Sequence, residues 1–425
     1  MMPLLTDFLL FLQKAPTSWH CVQEVASRLL SHQFLPLEEQ NHWDMQGEKN
    51  YFVTRGGSIA AFCLPKTPPS KIILLAAHTD SPTLKIKQNP IVTQNGMNLL
   101  GVETYGSPIL HSWLNRDVFI AGRCFLENEQ GELEQELLSL DDTPFLIPEL
   151  AIHLDRDVNQ KGPQVNKQEH LMPLFSTHTE TSFTSFIQSN FPNKKLLSFD
   201  LFMIPAETPK LLGQHKEWIA SYRIDNITSV HAATMALLEY KNQNSSVLPL
   251  TVFWDHEEIG STSWEGACSS FLPDLLLRLQ QHYQLSNEDF CILKRNSLCL
   301  SLDMAHGLNP MHTQKHDPNH KPLLGSGIVF KQQADLKYAS SAYTIALATR
   351  YAQIASLPVQ HFIPRSDSLC GSTVGPHVCS QIGIPTIDVG CAQLSMHATR
   401  EMIAVSDYLD YVVFLRTALN SSENL

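Results

Sequence analysis

The sequence has no surplus of base. Its 30 Lys and Arg are outnumbered by 42 Asp and Glu, for a net charge of −12. Holding phosphates needs clustered cations, so this balance argues against nucleic acid as a partner. Paired cysteines are missing as well: nine Cys are spread over 425 residues without one C-x-x-C. That pattern fits free thiols in a reducing, cytoplasmic setting, not a disulfide framework or a Cys-rich zinc site. No apolar run reaches the length of a membrane span. The opening stretch "MMPLLTDFLLFLQKAPTSWH" lacks a basic start and a small-residue cleavage site, and Asp7 precedes its apolar run. Its Leu4, Leu5, Phe8, Leu9 and Leu12 fall at helical spacing, so it reads as an amphipathic helix and not as a signal. Several catalytic signatures are also absent. There is no H-E-x-x-H, no G-x-S-x-G elbow and no G-x-x-x-x-G-K-[ST] loop. The Gly-rich "GSGIVFK" follows no strand-to-helix phosphate pattern.

The composition, with 43% hydrophobic and 17% charged residues, is globular. The length predicts two domains, or one large domain with an insertion. Residues 1–35 read as two helices broken near Pro16, and "YFVTRGGSIAAFCL" as two strands around Gly56-Gly57. Buried strands are expected at Ile72–Ala77, at Leu248–Trp254, in "SLCLSLDMAHG" and in "IPTIDVG". Helices are expected in "ITSVHAATMALLEY" and "YTIALATRYAQIASL". Between about residues 90 and 215 the texture changes to short alternating segments and polar loops. The two ends thus read as one α/β unit (1–89 and 216–425) interrupted by a β-rich insertion (90–215).

Strand ends carry the chemistry. In "TVFWDHEEIGSTSWEG" an apolar run delivers two adjacent carboxylates, Glu257 and Glu258, which repel each other unless a cation intervenes. Other strand-like segments end in His78 and Asp80, in Asp303 and, through a loop, in His397, while Asp225 precedes a helix. In open α/β sheets sites form beyond the carboxyl ends of the strands, where remote segments converge. Imidazole and carboxylate without thiolate suits zinc or a similar first-row dication, and several carboxylates suit a metal pair. Each residue alone also has a plainer reading: a surface His, an N-cap for Asp225, a solvated loop for the Glu pair. Their shared placement favours a site. Asp80, two residues beyond His78, is expected either to join the site or to orient the imidazole.

The segments "AAHTDSPTLKIK", "GVETYGSPIL", "RIDN", "EEIGS", "DMAHG", "GSTVGP" and "LSMHATREM", in this order, resemble the aspartyl aminopeptidases, the M18 metallopeptidases. The resemblance runs from about Leu4 to about Leu415. It implies a zinc-exopeptidase-like α/β/α catalytic domain with a central mixed sheet, and makes the insertion a dimerisation domain. It further implies an exopeptidase that removes acidic N-terminal residues from peptides with two Zn2+ per chain, Mn2+ or Co2+ being alternatives in one site. Its metal ligands would be His78, Asp225 as the bridge, Glu258, Asp303 and His397. Glu257 would be the general base, with Asp80 supporting His78. His153 in "ELAIHLDRDVN" would reach the active site of a neighbouring subunit. Lys331 and Tyr338 would contact the acidic side chain of the substrate; alone, Lys331 reads as a surface lysine. The family assembles into dodecamers built from dimers, so a homo-oligomer is implied.

The chain departs from the family pattern at Leu114 and Asn115 (for Phe and Asp), at His256 (for Asn) and at Asn309 (for His). No expected ligand is lost. Two other readings compete with the aminopeptidase: a same-fold metal-dependent amidohydrolase acting on N-acyl amino acids, and a non-catalytic assembly or cargo-binding relative.

Overall fold

A computed structural model of the chain describes residues 2–46, 49–241 and 246–421. The protein divides into two compact units. The first comprises Met1–Asp80, Pro209–Met396 and Glu401–Leu425, and the second Ser81–Thr208 and His397–Arg400. The sequence texture placed the breaks at 89/90 and 215/216, with residues 397–400 in the first unit.

Among the described residues, the first unit is built on a nine-stranded mixed sheet. Its order is Leu35–Leu37, Asn50–Arg55, Ser58–Cys63, Val247–Trp254, Lys71–His78, Leu298–Leu302, Thr386–Gly390, Ile328–Lys331 and Val359–Phe362. The strand Lys71–His78 runs parallel to both of its neighbours. Its Ile73, Leu75 and Ala77 enter one hydrophobic core, and Ile72, Leu74 and Ala76 the other. Strand side chains alternate between faces, so a strand covered on both faces must be apolar without a break. That is the run visible in the sequence. Helices Met2–Lys14, Ser18–Ser31, Ile224–Leu238 and Val405–Asn420 supply the first core. Phe271–His282 and Val374–Ile382 supply the second, giving an α/β/α layering. A five-stranded sheet completes this unit, in the order Lys210–Leu212, Trp218–Ser221, Glu401–Ala404, Ala392–Leu394 and Ala305–His306.

The second unit is β-rich, with seven strands in one sheet. Lys195–Pro205 pairs with both Thr83–Gln94 and Asp117–Glu127, so the sheet closes on itself. Closure removes the edges of the six ring strands, and Leu133–Ser139 pairs only with Asp117–Glu127. Residues 397–400 are clipped into this unit: Thr399 donates its N–H to Ser112 Oγ (3.1 Å) and its hydroxyl to the Ser112 carbonyl (2.8 Å). Among the described residues no helix is long and apolar enough to cross a membrane.

Candidate metal centre

His78 is the last residue of its strand and is paired in register with Trp254, the last residue of the next. The parallel ladder therefore brings His78 level with the entry to Asp255-His256-Glu257-Glu258. The short 3-10 turn Glu257–Ile259 presents the two glutamates. Asp80 ties the two strand ends together. Its Oδ1 accepts the Glu257 N–H and its Oδ2 the Glu258 N–H, each at 3.1 Å. The Nδ1 of His78 lies 3.1 Å from the Asp80 carbonyl and 3.3 Å from Oδ1. A proton held on Nδ1 leaves the Nε2 lone pair as the ligand atom. That nitrogen stands 3.4 Å from Asp225 Oδ1 and 3.8 Å from Asp303 Oδ1.

Asp225 is buried at the start of its helix, where it and Asn226 keep non-helical dihedrals just after Arg223, which is held left-handed at φ 64°. Two residues that sequence reasoning passed over fix this corner. Glu401 Oε2 accepts the Asp225 N–H at 3.0 Å. The buried Arg223 guanidinium donates to the carbonyls of Ala15 and Thr79, joining the N-terminal helices to the end of the His78 strand. The signal for both was charge beside otherwise apolar segments.

Ligand atoms of His78, Asp225 and Glu258 all lie within 4.8 Å of one another. One imidazole and two carboxylates, hard and borderline donors held at the ends of rigid elements, fit a first-row dication such as zinc. The charge balance points the same way. Burial disfavours the imidazolium of His78, yet Glu257 and the bonds to Asp225, Asp303 and Asp80 outweigh it and raise its pKa well above the usual value. Burial raises the Glu257 pKa, and the carboxylates of Asp303, Asp80 and Asp225 push it further against the pull of His78. A cluster this acidic has a place for positive charge.

Lys331 is not a surface lysine. It is 1% exposed. Its ammonium donates to Asp303 Oδ2 at 2.9 Å and to the Met304 carbonyl at 3.1 Å, and lies 4.8 Å from the centre of the Tyr338 ring. Tyr338 is itself buried. The remaining two site residues lie in the second unit. His397 Nδ1 is 3.1 Å from the Ser107 carbonyl, and His153 sits on an exposed turn.

Three of the four departures have local explanations. His256 adopts φ 66°, its Nδ1 is 2.7 Å from Ser263 Oγ, and its N–H meets Asp255 Oδ1 at 2.9 Å. A left-handed position favours Asn, Asp and His, so His can replace the family's Asn. Asn115 is also left-handed, at φ 54°, and its Oδ1 accepts the Glu149 N–H. Asn309 Oδ1 accepts the Met311 N–H and so closes a turn on itself. Leu114 lines an apolar cavity of the second unit, and nothing in the structure explains why it replaces Phe.

A family model described as aminopeptidase I zinc metalloprotease (M18) matches residues 11–418. Aspartyl aminopeptidase 1 of Schizosaccharomyces pombe is 34% identical over 453 residues, covering 99% of this chain and 95% of that protein. A chain from the cryo-EM structure of the Ape4 and Nbr1 complex superposes with a TM-score of 0.92 at 34% identity, covering 97% of this chain and 84% of that one. The S. cerevisiae mApe1 dodecamer structure gives a TM-score of 0.85 at 25% identity, covering 97% and 95%.

Proposed function

The chain belongs to the M18 family of zinc aminopeptidases, and from that premise we propose that it removes an acidic residue, Asp or Glu, from the N-terminus of peptides. The observation that carries the proposal is the convergence of His78, Asp225 and Glu258, with Asp303 and the buried Lys331 ammonium beside them. Zinc would be held by His78, Asp225 and Glu258 with Asp303 beside them, and the family resemblance adds His397 and a second ion. The metals would supply Lewis acidity, polarising the scissile carbonyl and making a water acidic enough to attack near neutral pH.

The chain's own residues do the rest. The Glu257 carboxylate takes the proton of the attacking water and passes it to the leaving amine. Asp80 holds the backbone that sets both Glu257 and Glu258, so that base and ligand keep their separation. Lys331, backed by Tyr338, attracts the side-chain carboxylate of the substrate, since a buried cation is what selects for an anion. His397 as a ligand, and His153 of a neighbouring copy as an oxyanion donor, rest on the family resemblance. So does the dimer-based dodecamer, while the cytoplasmic location rests on the thinly spread cysteines without a C-x-x-C.

The test is a panel of peptides differing only in the N-terminal residue, with and without N-acetylation, assayed with zinc, manganese or cobalt. Free Glu- and Asp-peptides should be cut fastest and acetylated ones not at all. Preference for the acetylated form would instead identify an amidohydrolase. Glu257→Gln should keep its metals and lose turnover by about 10²–10⁴-fold; near-normal activity would remove Glu257 from the role of base. Light scattering checks the assembly.

A further inference from the structure

Asp388 is a wholly buried acid that the proposed mechanism does not use. It interrupts a buried interior strand of the nine-stranded sheet, Thr386–Gly390. Every acceptor on it is engaged. Oδ1 takes the hydroxyls of Ser301 (2.7 Å) and Thr373 (2.5 Å), and Oδ2 takes the Ala339 N–H (2.6 Å). Its own N–H is donated to Ser340 Oγ at 2.9 Å. A Cβ on Gly375 would stand 2.8 Å from both Asp388 Oδ2 and Ser301 Oγ, so that glycine makes room for the acid. On the neighbouring strand its register partner is Lys331.

These contacts differ in what they hold. Ser301 lies on a strand that ladders with both neighbours, so Asp303 beyond it is positioned by backbone pairing in any case. The segment 332–341, which carries Tyr338, has no strand partner among the described residues. It is fastened to the sheet at Gln332, whose N–H donates to the Phe362 carbonyl at 3.0 Å, and beside Tyr338 at Ala339 and Ser340, where both fastenings end on Asp388. Thr373 draws in the segment after Cys370, a neighbour of Tyr338 in the same small core.

We propose that Asp388 is a positioning residue for acid recognition: it fixes the Tyr338 segment against Lys331, and so sets the discrimination between acidic and neutral N-terminal residues. The proposal rests on the reading of Lys331 and Tyr338 as the pocket for the substrate carboxylate.

The experiment compares kcat/KM for Glu-, Asp- and Ala-peptides in the zinc-loaded full chain, carrying Asp388→Ala, Asp388→Asn or Lys331→Met. Asp388→Ala should lower the acidic-to-neutral ratio by about tenfold or more, because a displacement on the order of 1 Å at a recognition group is that damaging, while zinc content is kept. Asp388→Asn should restore most of the ratio. Its carbonyl can still accept from Ala339, and the Ser301 and Thr373 hydroxyls can reverse to accept from its NH2. Equal losses on all three peptides, or an Asn variant no better than Ala, would overturn the proposal while leaving the pocket assignment standing. A Lys331→Met enzyme with an unchanged ratio would remove the pocket assignment itself, and the proposal with it. If Asp388→Ala does not fold, Ser340→Ala and Thr373→Val each cut one fastening. Each should lower the ratio by a smaller factor, and an unchanged ratio in both would overturn the proposal.

Discussion

Two backbone N–H donors, those of Glu257 and Glu258, reach the Asp80 carboxylate, and the His78 imidazole bonds the Asp80 carbonyl with its Nδ1 3.3 Å from Oδ1. A carboxylate can accept from both backbone donors, and an amide cannot, since its NH2 must face at least one donor. Asp80→Asn should therefore loosen His78, Glu257 and Glu258 together. The expected result is a loss of about 10–100-fold in metal affinity, the usual effect of removing a partner behind a metal-binding histidine. Competition with a calibrated chelator measures it, and an unchanged zinc dissociation constant would show that Asp80 does not hold the site. Much of this was legible in the sequence, because the spacing of His78 and Asp80 placed one behind the other. That Asp80 also organises the glutamate turn was not, since it depends on which strand lies beside which. His256 is a similar case: a conformation of φ 66° explains it, and no pattern in the sequence discloses a dihedral.

Elements buried on both faces were the easiest to read. The strand Lys71–His78 is nearly apolar throughout, and burial demands that composition, whereas the equally buried helix Ile224–Leu238 still carries polar residues such as Thr228, Ser229, His231 and Thr234. Less legible was what fixes one element to another. The N-terminal helix Met2–Lys14 was recognisable by its periodicity, but its anchor is polar. Asp7 receives a two-pronged contact from Arg28 (2.6 and 2.9 Å) and lies 2.9 Å from Nε2 of the fully buried His231. Tyr408 lies 2.8 Å from the other ring nitrogen. Burial lowers the His231 pKa, so the ring is neutral, with its proton toward Asp7 and its lone pair toward Tyr408. Asp7→Ala should destabilise the fold by about 1–3 kcal/mol, because it strands a buried donor. The pH dependence has a definite sign. The hydrogen bond from His231 is the main cause holding the Asp7 pKa below its usual value; burial opposes it and Arg28 reinforces it. The stabilisation is therefore present above the unfolded pKa of about 3.9 and is lost as pH falls through the folded pKa. Urea unfolding of wild type and variant should differ most near neutrality and converge in acid. A difference that is constant across pH would mean that the ion pair contributes nothing.

At the scale of the whole molecule, the chain carries a net charge of −12 and yet gathers five acids with one histidine in a single unit: Asp80, Asp225, Glu257, Glu258 and Asp303 around His78. Overall charge spoke against nucleic acid, but it could not reveal this local concentration, which arises only when four distant segments meet at the strand ends. Nor did the texture of the sequence suggest that residues 397–400 associate with the second unit, because that assignment rests on tertiary contacts to Ser107, Ile109 and Ser112. The concentration of acid has a consequence for the stability of the whole chain. Without a cation the carboxylates repel one another, and a ligand that binds only the folded state stabilises it by mass action, about 2.7 kcal/mol at a hundredfold excess over its dissociation constant. Stripping the metal with dipicolinate should abolish peptidase activity and lower Tm, and zinc titrated back should restore both. The titration also counts the ions: restoration should need two per chain. A Tm unmoved by chelation, with activity intact, would contradict the metal centre itself. Full recovery at one ion per chain would keep the centre and reject the pair.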